Sequence, residues 1–200
     1  MDPELYVFPG IQSAPTKIAA STGLFIVVLV VAGLLLPLLP GPQLWAGVDR
    51  LILPGKVPVR LTHLIHLLIG YGLFIYGSYH AWRATQLKNT VEDPKYELAT
   101  RILDTGYYAQ VRHPMYGMFI LANVGLGFAM NSIYGLAFGL LSLVLFIANG
   151  IFEERAVMLR FFGEAYRSYM RRVTARYFTP SQAIVLALVL ILNFTGLFFQ

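Results

Sequence analysis

The feature that most constrains this chain is an uninterrupted run of 38 residues, 115–152, without a single charged side chain. As one straight helix, this run would be about 57 Å long, nearly twice the roughly 30 Å thickness of a bilayer's hydrocarbon core. Asn131 and Ser132 lie near its middle, where the chain can turn back. The run therefore predicts a tight hairpin of two membrane-spanning helices, at 115–130 and 133–152.

The composition also indicates a membrane protein. Of the 200 residues, 57% are hydrophobic and only 12% are charged, whereas soluble domains average about 25% charged residues. Three further apolar stretches, 18–39, 61–82 and 182–199, are predicted to span the membrane, which gives five spans in total. The absence of cysteine excludes a disulfide framework and a thiol nucleophile. We expect an all-α, polytopic membrane protein with a single domain over residues 1–200.

Two polar segments separate the spans on one side of the membrane. The connector 83–112 is too long for a simple turn, and within it 96–103 is predicted to form a short helix. The stretch 153–178 is basic and amphipathic, so we expect an interfacial helix along the membrane surface, with Gly163 as a possible break.

The distribution of positive charge predicts the orientation. With five spans, about 12 of the 15 Lys and Arg residues lie on the side of the two polar segments, and about three lie on the other side. The positive-inside rule then places the N-terminus and both polar segments in the cytoplasm and the C-terminus on the opposite side. The net charge of +5 suits an anionic membrane surface better than nucleic acid, so membrane lipids are the expected partners.

The segment 112–116, which reads Arg-His-Pro-Met-Tyr, stands at the mouth of the hairpin. Pro114 suits the first position of a helix, whose free N–H groups then favour an anion such as a carboxylate. Arg112 and His113 would flank that anion, and Tyr108 would add an aromatic wall. An ordinary interfacial belt of Arg and Tyr explains the same residues without a site, so the residues alone leave both interpretations open.

Glu153 and Glu154 end the charge-free run. A pair of carboxylates at the membrane edge is costly unless it is paired or hydrated. Arg112 lies on the same side and is a candidate partner, so that the pair either orients an arginine or holds a cationic group. A simple ion pair with Arg155 is the alternative. Asn149, one turn before Glu153, is either a helix–helix contact or part of the site.

The other patterned residues are better explained by structure than by chemistry. His63 and His66 share one face of the second span, but His80 lies at its other end, so no metal site is expected. Gly135 and Gly139 form a G-x-x-x-G pair, which lets membrane helices approach closely.

Together, these motifs resemble the isoprenylcysteine carboxyl methyltransferase family, and phospholipid N-methyltransferases share a looser version. The resemblance covers about residues 86–179 and comprises the segment 106–117, the hairpin, the two glutamates and the Phe-Phe-Gly-Glu-Ala-Tyr sequence at 161–166. It implies an S-adenosylmethionine-dependent O-methyltransferase that releases S-adenosyl-L-homocysteine. The implied acceptor is the C-terminal carboxylate of a prenylated cysteine, or a similar lipid-linked carboxylate, entering from the bilayer.

The resemblance also implies a set of site residues within 83–116 and 153–179. The expected cofactor-binding residues are Lys88, Thr100, Arg101, Ile102, Leu103, Tyr108, His113, Pro114, Met115 and Tyr116. The expected catalytic residues are Arg112, Glu153 and Glu154. Glu154 is also expected to contact the lipid acceptor, together with Asn149.

One departure bears on the acceptor. Family members that act on prenylcysteine carry an arginine shortly before the glutamate pair, where this chain has Asn-Gly-Ile-Phe at 149–152. A phospholipid or small-amine N-methyltransferase is therefore an alternative. An NADPH-dependent enzyme like the sterol reductases and a non-catalytic membrane protein are further alternatives.

Overall fold

The computed structural model describes residues 27, 31, 42–48, 61–93 and 98–200, with the backbone alone at 92–93 and 98–99. The predicted first span, 18–39, lies outside the described residues except at two positions. The elements in the described part are helices α1 (Leu61–Asn89), α2 (Pro114–Ala129), α3 (Ile133–Glu153), α4 (Leu159–Arg172) and α5 (Pro180–Thr195), and strands β1 (Glu92–Asp93) and β2 (Leu98–Ala99).

Three helical stretches are long and apolar enough to cross a membrane: α1, Ile133–Arg172 and Pro180–Phe199. Helix α2 is apolar but shorter. These helices confirm the all-α, polytopic membrane architecture. Helix α1 continues past the predicted limit of its span at residue 82, because the Arg, Ala, Gln, Leu and Lys residues that follow favour helix.

The predicted hairpin is confirmed. Helix α2 ends at Ala129 and α3 begins at Ile133, so the chain reverses at Asn131 and Ser132. Asn131 adopts a left-handed backbone conformation with φ 43°, which asparagine tolerates better than most residues. The Ser132 side chain caps α3 by accepting a hydrogen bond from the Gly135 N–H at 3.1 Å.

Helix α2 is the centre of the bundle, packed against α1 on one side and α3 on the other. Glycines allow both contacts. Gly77 of α1 lies against the backbone of Met118 and Ala122, and Gly127 of α2 lies directly against the backbone of Gly135. The glycines therefore act in helix packing, as the small-residue pattern predicted. Because α2 is held from both sides, the position of its first turn is well defined.

The predicted helix over 96–103 is wrong for the described residues 98–103, which form β2 at 98–99 and are nonhelical at 100–103. Instead, β1 pairs antiparallel with β2, with Glu92 opposite Ala99. Beyond β2, the backbone N–H of Thr100 donates to the Val91 carbonyl at 2.8 Å. These pairings across the connector compete successfully with the local helical preference, which depends on a segment too short to form a stable helix alone.

Helix α3 runs into α4 through one turn of π-helix, Glu154–Met158. Helix α4 is amphipathic, as predicted, and Gly163 interrupts it with φ 51° and ψ −121°. Its apolar side, including Tyr166 and Tyr169, packs in a second small core. The long residues on its other side are mostly arginines, so α4 has the character of the predicted interfacial helix.

The end of the bundle opposite Glu153 is closed by the segment 42–48. The backbone N–H of Leu44 donates to Asn131 in the hairpin turn at 3.1 Å. The Trp45 indole N–H donates to the Leu192 carbonyl at 3.1 Å. The hairpin turn, this segment and the end of α5 therefore meet at one end, and the two polar segments meet at the other.

Candidate active site

The site is built on the start of α2. Pro114 is the first residue of this helix and His113 is its N-cap. The short 3₁₀ helix Gly106–Ala109 precedes them and is fixed to α1 by a 2.7 Å hydrogen bond between the Tyr107 hydroxyl and His80 Nδ1. His80 thus lies at the polar end of α1, whereas His66 stacks on Phe128 near the hairpin turn.

The charged residues predicted at the two ends of the hairpin meet in one ion cluster. Arg112 Nε donates to Glu154 Oε1 at 2.7 Å. His113 lies between the two glutamates, with Nε2 3.2 Å from Glu154 Oε1 and Nδ1 3.6 Å from Glu153 Oε2. The expected pairing of Arg112 with the glutamate pair is therefore confirmed, and the hairpin is the element that produces it.

The cluster contains a fifth residue that sequence reasoning missed. Arg176 Nη2 lies 3.0 Å from Glu154 Oε2, so both oxygens of this carboxylate contact a guanidinium. The Glu154 side chain is only 3% exposed. A buried carboxylate is tolerated when it is paired in this way. No sequence signal singles out Arg176 among the basic residues of its region.

Residues 173–177 form a nonhelical segment, the strap, that crosses the start of α2. Arg112 Nη1 donates to the carbonyls of Val173 and Thr174 at 2.9 and 3.1 Å. The backbone N–H groups of Arg112 and His113 donate to Ala175 and Arg176 at 3.0 and 2.8 Å. The strap and the start of α2 are therefore joined by both side-chain and backbone hydrogen bonds.

Tyr177 completes the strap. Its hydroxyl donates to the Ile147 carbonyl at 2.7 Å, and its ring lies 5.7 Å from that of His113. Burial raises the pKa of Tyr177 to about 12, because the charged phenolate would lose its hydration. Tyr177 is therefore a neutral hydrogen-bond donor over the whole physiological pH range.

A cleft of about 570 Å³, its open mouth included, lies beside this cluster. The cleft is lined by Lys88, Val91, Arg101, Ile102, Leu103, Tyr108, Arg112, His113, Met115, Tyr116, Glu153, Met158, Tyr166 and Tyr169. Its wall therefore combines cationic, aromatic and apolar groups from α1, the connector, α2, α3, the π turn and α4.

Most residues predicted to bind a cofactor line this cleft, and their roles stay predictions. Two do not: Pro114 is buried at the start of α2, and the Thr100 hydroxyl donates to the Val91 carbonyl at 2.8 Å. Of the predicted catalytic and acceptor residues, Arg112 and Glu153 line the cleft, whereas Glu154 and Asn149 do not.

Sequence reasoning did not assign the tyrosines of α4 to the site. Tyr166 and Tyr169 both line the cleft, and the Tyr169 hydroxyl donates to the Tyr108 carbonyl at 2.7 Å. Their i, i+3 spacing on the apolar face was visible in the sequence. That spacing indicates a shared face but does not reveal what the face covers.

The arrangement suits a ligand that carries both charge and an aromatic or apolar body. Lys88 and Arg101 offer positive charge for an anionic group, and Tyr108 and Tyr166 contribute aromatic side chains to the wall. His113 is only 6% exposed, and its Nε2 has no partner in hydrogen-bond geometry among the described residues. This atom lies 3.2 Å from Glu154 Oε1, and a buried polar atom without a hydrogen bond is a candidate contact for a ligand in the cleft.

The bundle and the cleft at its polar end define an integral membrane protein with a candidate ligand site at that end. Residues 65–165, just over half of the chain, match the model of the phospholipid methyltransferase family, and the chain belongs to that family. It is thus a membrane methyltransferase by family, and the match includes most of the cleft wall but ends before the strap. No curated protein matches the chain.

Proposed function

We propose that this protein transfers a methyl group from S-adenosylmethionine to an acceptor carried by a lipid. The observation that carries the proposal is the cleft, which brings residues from both ends of the hairpin into one wall. Family membership supports the reaction class. The apolar helices around the cleft suit an acceptor whose hydrocarbon tail stays in the bilayer, where each buried CH₂ contributes about 0.8 kcal/mol.

The cleft wall offers a suitable place for the cofactor. S-adenosylmethionine supplies an electrophilic methyl group on a sulfonium, together with a carboxylate and an adenine ring. Lys88 and Arg101 are suited to the carboxylate, and the aromatic rings of Tyr108 and Tyr166 are suited to an aromatic or cationic group. Arg112 and His113 complete the wall. Their contribution is to position the reactants and to exclude water from the reacting atom.

The charges of the cleft bear on the acceptor. Arg112 is engaged with Glu154 and two strap carbonyls, so it offers little to an incoming carboxylate. Glu153 lines the cleft with its side chain 17% exposed. A carboxylate there attracts an ammonium group and can take the proton that an amine must release before methylation. A lipid-linked amine, such as a phospholipid headgroup, is therefore the better-supported acceptor.

The prenylcysteine carboxylate is the second candidate acceptor. An ionised carboxylate needs no base, and Lys88 and Arg101 supply positive charge in the same cleft. The motif order of this chain, with its two glutamates after the hairpin, resembles the enzymes that act on prenylcysteine. The two acceptors differ in charge, so the substitution Glu153→Gln distinguishes them. It removes an electrostatic attraction for an ammonium group, which should slow methyl transfer to an amine. It removes an electrostatic repulsion for a carboxylate, which should not slow transfer to prenylcysteine.

Purified protein in lipid nanodiscs provides the test of the proposal. Calorimetry with S-adenosylhomocysteine measures cofactor binding, and radiolabelled S-adenosylmethionine measures transfer to phosphatidylethanolamine or to a prenylcysteine analogue. We expect micromolar binding and transfer to one acceptor. His113→Ala should weaken binding at least about tenfold, since it removes a buried group of the cleft wall. If the wild-type protein does not bind S-adenosylhomocysteine, the proposal is overturned.

The orientation in the membrane is also a proposal. The excess of Lys and Arg around the polar segments supports a cytoplasmic cleft, with the C-terminus on the opposite side. The chain lacks cysteine, so single-cysteine variants report accessibility without a background. Ser168→Cys in α4 should react with a membrane-impermeant maleimide only in inside-out vesicles, and Gln200→Cys only in right-side-out vesicles. The reverse pattern would place the cleft outside.

A further inference from the structure

Arg176 stands apart from the residues that the motifs single out. It lies in the strap, beyond the segment matched by the family model, and its side chain is 37% exposed. Its guanidinium Nη2 contacts Glu154 Oε2 at 3.0 Å, while its buried Nε has no hydrogen-bond partner among the described residues. The contact with Glu154 is therefore the principal interaction of the Arg176 side chain among the described residues.

Glu154 connects Arg176 to the cleft. This carboxylate does not line the cleft, but Arg112 and His113 do, and both contact its Oε1. Anything that fixes Glu154 therefore fixes two cleft residues at once. Arg112 holds one oxygen of the carboxylate and Arg176 holds the other, so the two guanidiniums together prevent the carboxylate from rotating.

The loss of either guanidinium has different consequences. Without Arg112, the cleft wall itself loses a residue. Without Arg176, the wall keeps all its residues, but Oε2 loses its partner and the carboxylate can turn about its terminal bond. Arg112 then loses a fixed acceptor, and His113 loses a fixed neighbour at 3.2 Å. Displacements of about 1 Å in such supporting contacts can cost about 100-fold in an active site.

We propose that Arg176 is a positioning residue: through Glu154 it fixes Arg112 and His113 in the geometry that binds the cofactor. The inference rests on the proposed function, because the cofactor is the ligand whose affinity reports that geometry. It predicts that a residue outside the cleft and outside the family-matched segment controls cofactor affinity, while the acceptor meets an unchanged surface.

The experiment compares Arg176→Gln and Arg176→Lys with a matched control, Arg171→Gln. Arg171 is also an arginine paired with a glutamate, Glu164, at 2.8 Å, but that pair is exposed and makes none of the contacts of the ion cluster. We expect Arg176→Gln to weaken S-adenosylhomocysteine binding about tenfold or more with little change in the KM of the acceptor. Arg176→Lys should recover much of the affinity, and Arg171→Gln should match the wild type.

A double-mutant cycle separates positioning from a general structural effect. If Arg176 acts through Glu154, then Arg176→Gln combined with Glu154→Gln should bind no more weakly than Glu154→Gln alone. Additive losses, or wild-type affinity in Arg176→Gln, would overturn the inference and leave the proposed function intact. Loss of binding in the wild type would instead overturn the proposed function, and the inference with it.

A folding defect does not remove the test. If Arg176→Gln does not fold, Arg176→Met, which keeps the length of the side chain but not its charge, is compared with the wild type by the rise in melting temperature that saturating S-adenosylhomocysteine produces, because ligand stabilisation follows affinity. A smaller rise in Arg176→Met than in both the wild type and Arg171→Gln supports the inference. An equal rise overturns it.

Discussion

The contact between α1 and α2 gives a sharp prediction, because at Gly77 the helices approach so closely that only a hydrogen atom fits as the side chain. A methyl group added at Gly77 would lie 2.6 Å from the Met118 carbonyl oxygen and 2.6 Å from the Ala122 nitrogen. An ordinary contact is at least 3.4 Å, so the two helices would have to separate locally by about 0.8 Å. Gaps of this size forfeit a quarter to a half of the dispersion attraction between the facing atoms.

Gly77→Ala should therefore destabilise the protein, and Gly72→Ala provides the control. Gly72 lies in the same helix, and a methyl group added there meets nothing within 4 Å. Both substitutions gain the same helix propensity, up to about 1 kcal/mol, so their difference isolates the steric cost. Overpacking typically costs about 1–3 kcal/mol.

The assay is thermal unfolding in detergent, followed by fluorescence-detected size exclusion. At about 2–4 °C per kcal/mol for a chain of this size, Gly77→Ala should melt roughly 2–12 °C below Gly72→Ala. Equal melting temperatures would mean that α1 and α2 do not approach at the distance described, and the position of the start of α2 would need another explanation.

Three further perturbations test the polar end of the bundle by the same melting assay. Gly163→Ala should cost about 1–3 kcal/mol, because the backbone there is accessible almost only to glycine; an unchanged melting temperature would argue against this break in α4. Tyr177→Phe should cost about 1 kcal/mol through the lost hydrogen bond to Ile147. The pKa of Tyr177 is raised from 10.0 to about 12, so as the pH rises the unfolded chain loses the phenolic proton before the folded protein does. The stability of the wild type should therefore fall more between pH 10 and 12 than that of Tyr177→Phe. Parallel pH profiles of the two proteins would contradict this. Thr179→Ala removes the capping box with Gln182 at the start of α5 and should cost about 1 kcal/mol, and no loss would show that the cap is dispensable.

The hairpin was predictable because the constraint is physical and local. A charge-free run too long to cross the membrane once must cross it twice, and the Asn131-Ser132 pair offers both a left-handed residue and a cap. The position of Pro114 at the start of α2 follows from its missing N–H. The meeting of Arg112 with the glutamates then follows from the hairpin, without any knowledge of the rest of the fold.

The remaining parts of the site depend on contacts between distant segments. Residues 98–99 form a strand because they pair with Glu92 and Asp93 at the other end of the connector. The helical preference of the eight residues 96–103 contains no information about that pairing. The role of the strap was invisible for the same reason: Arg176 lies 22 residues from Glu154 in the sequence. The sequence identified the pair Glu153 and Glu154 but did not indicate that only Glu153 would line the cleft.

The π turn after Glu154 makes the length of the chain matter as much as its composition. A π turn accommodates a residue more than an α turn does, and each residue of a helix advances the direction of the side chains by about 100°. Deleting one residue from 155–158 would let this turn close as an α turn, so α4 would keep nearly its present direction, whereas one further inserted residue would rotate α4 by about 100°. Tyr166 and Tyr169 would then face away from the cleft, so the wall tolerates a deletion in this short stretch better than an insertion.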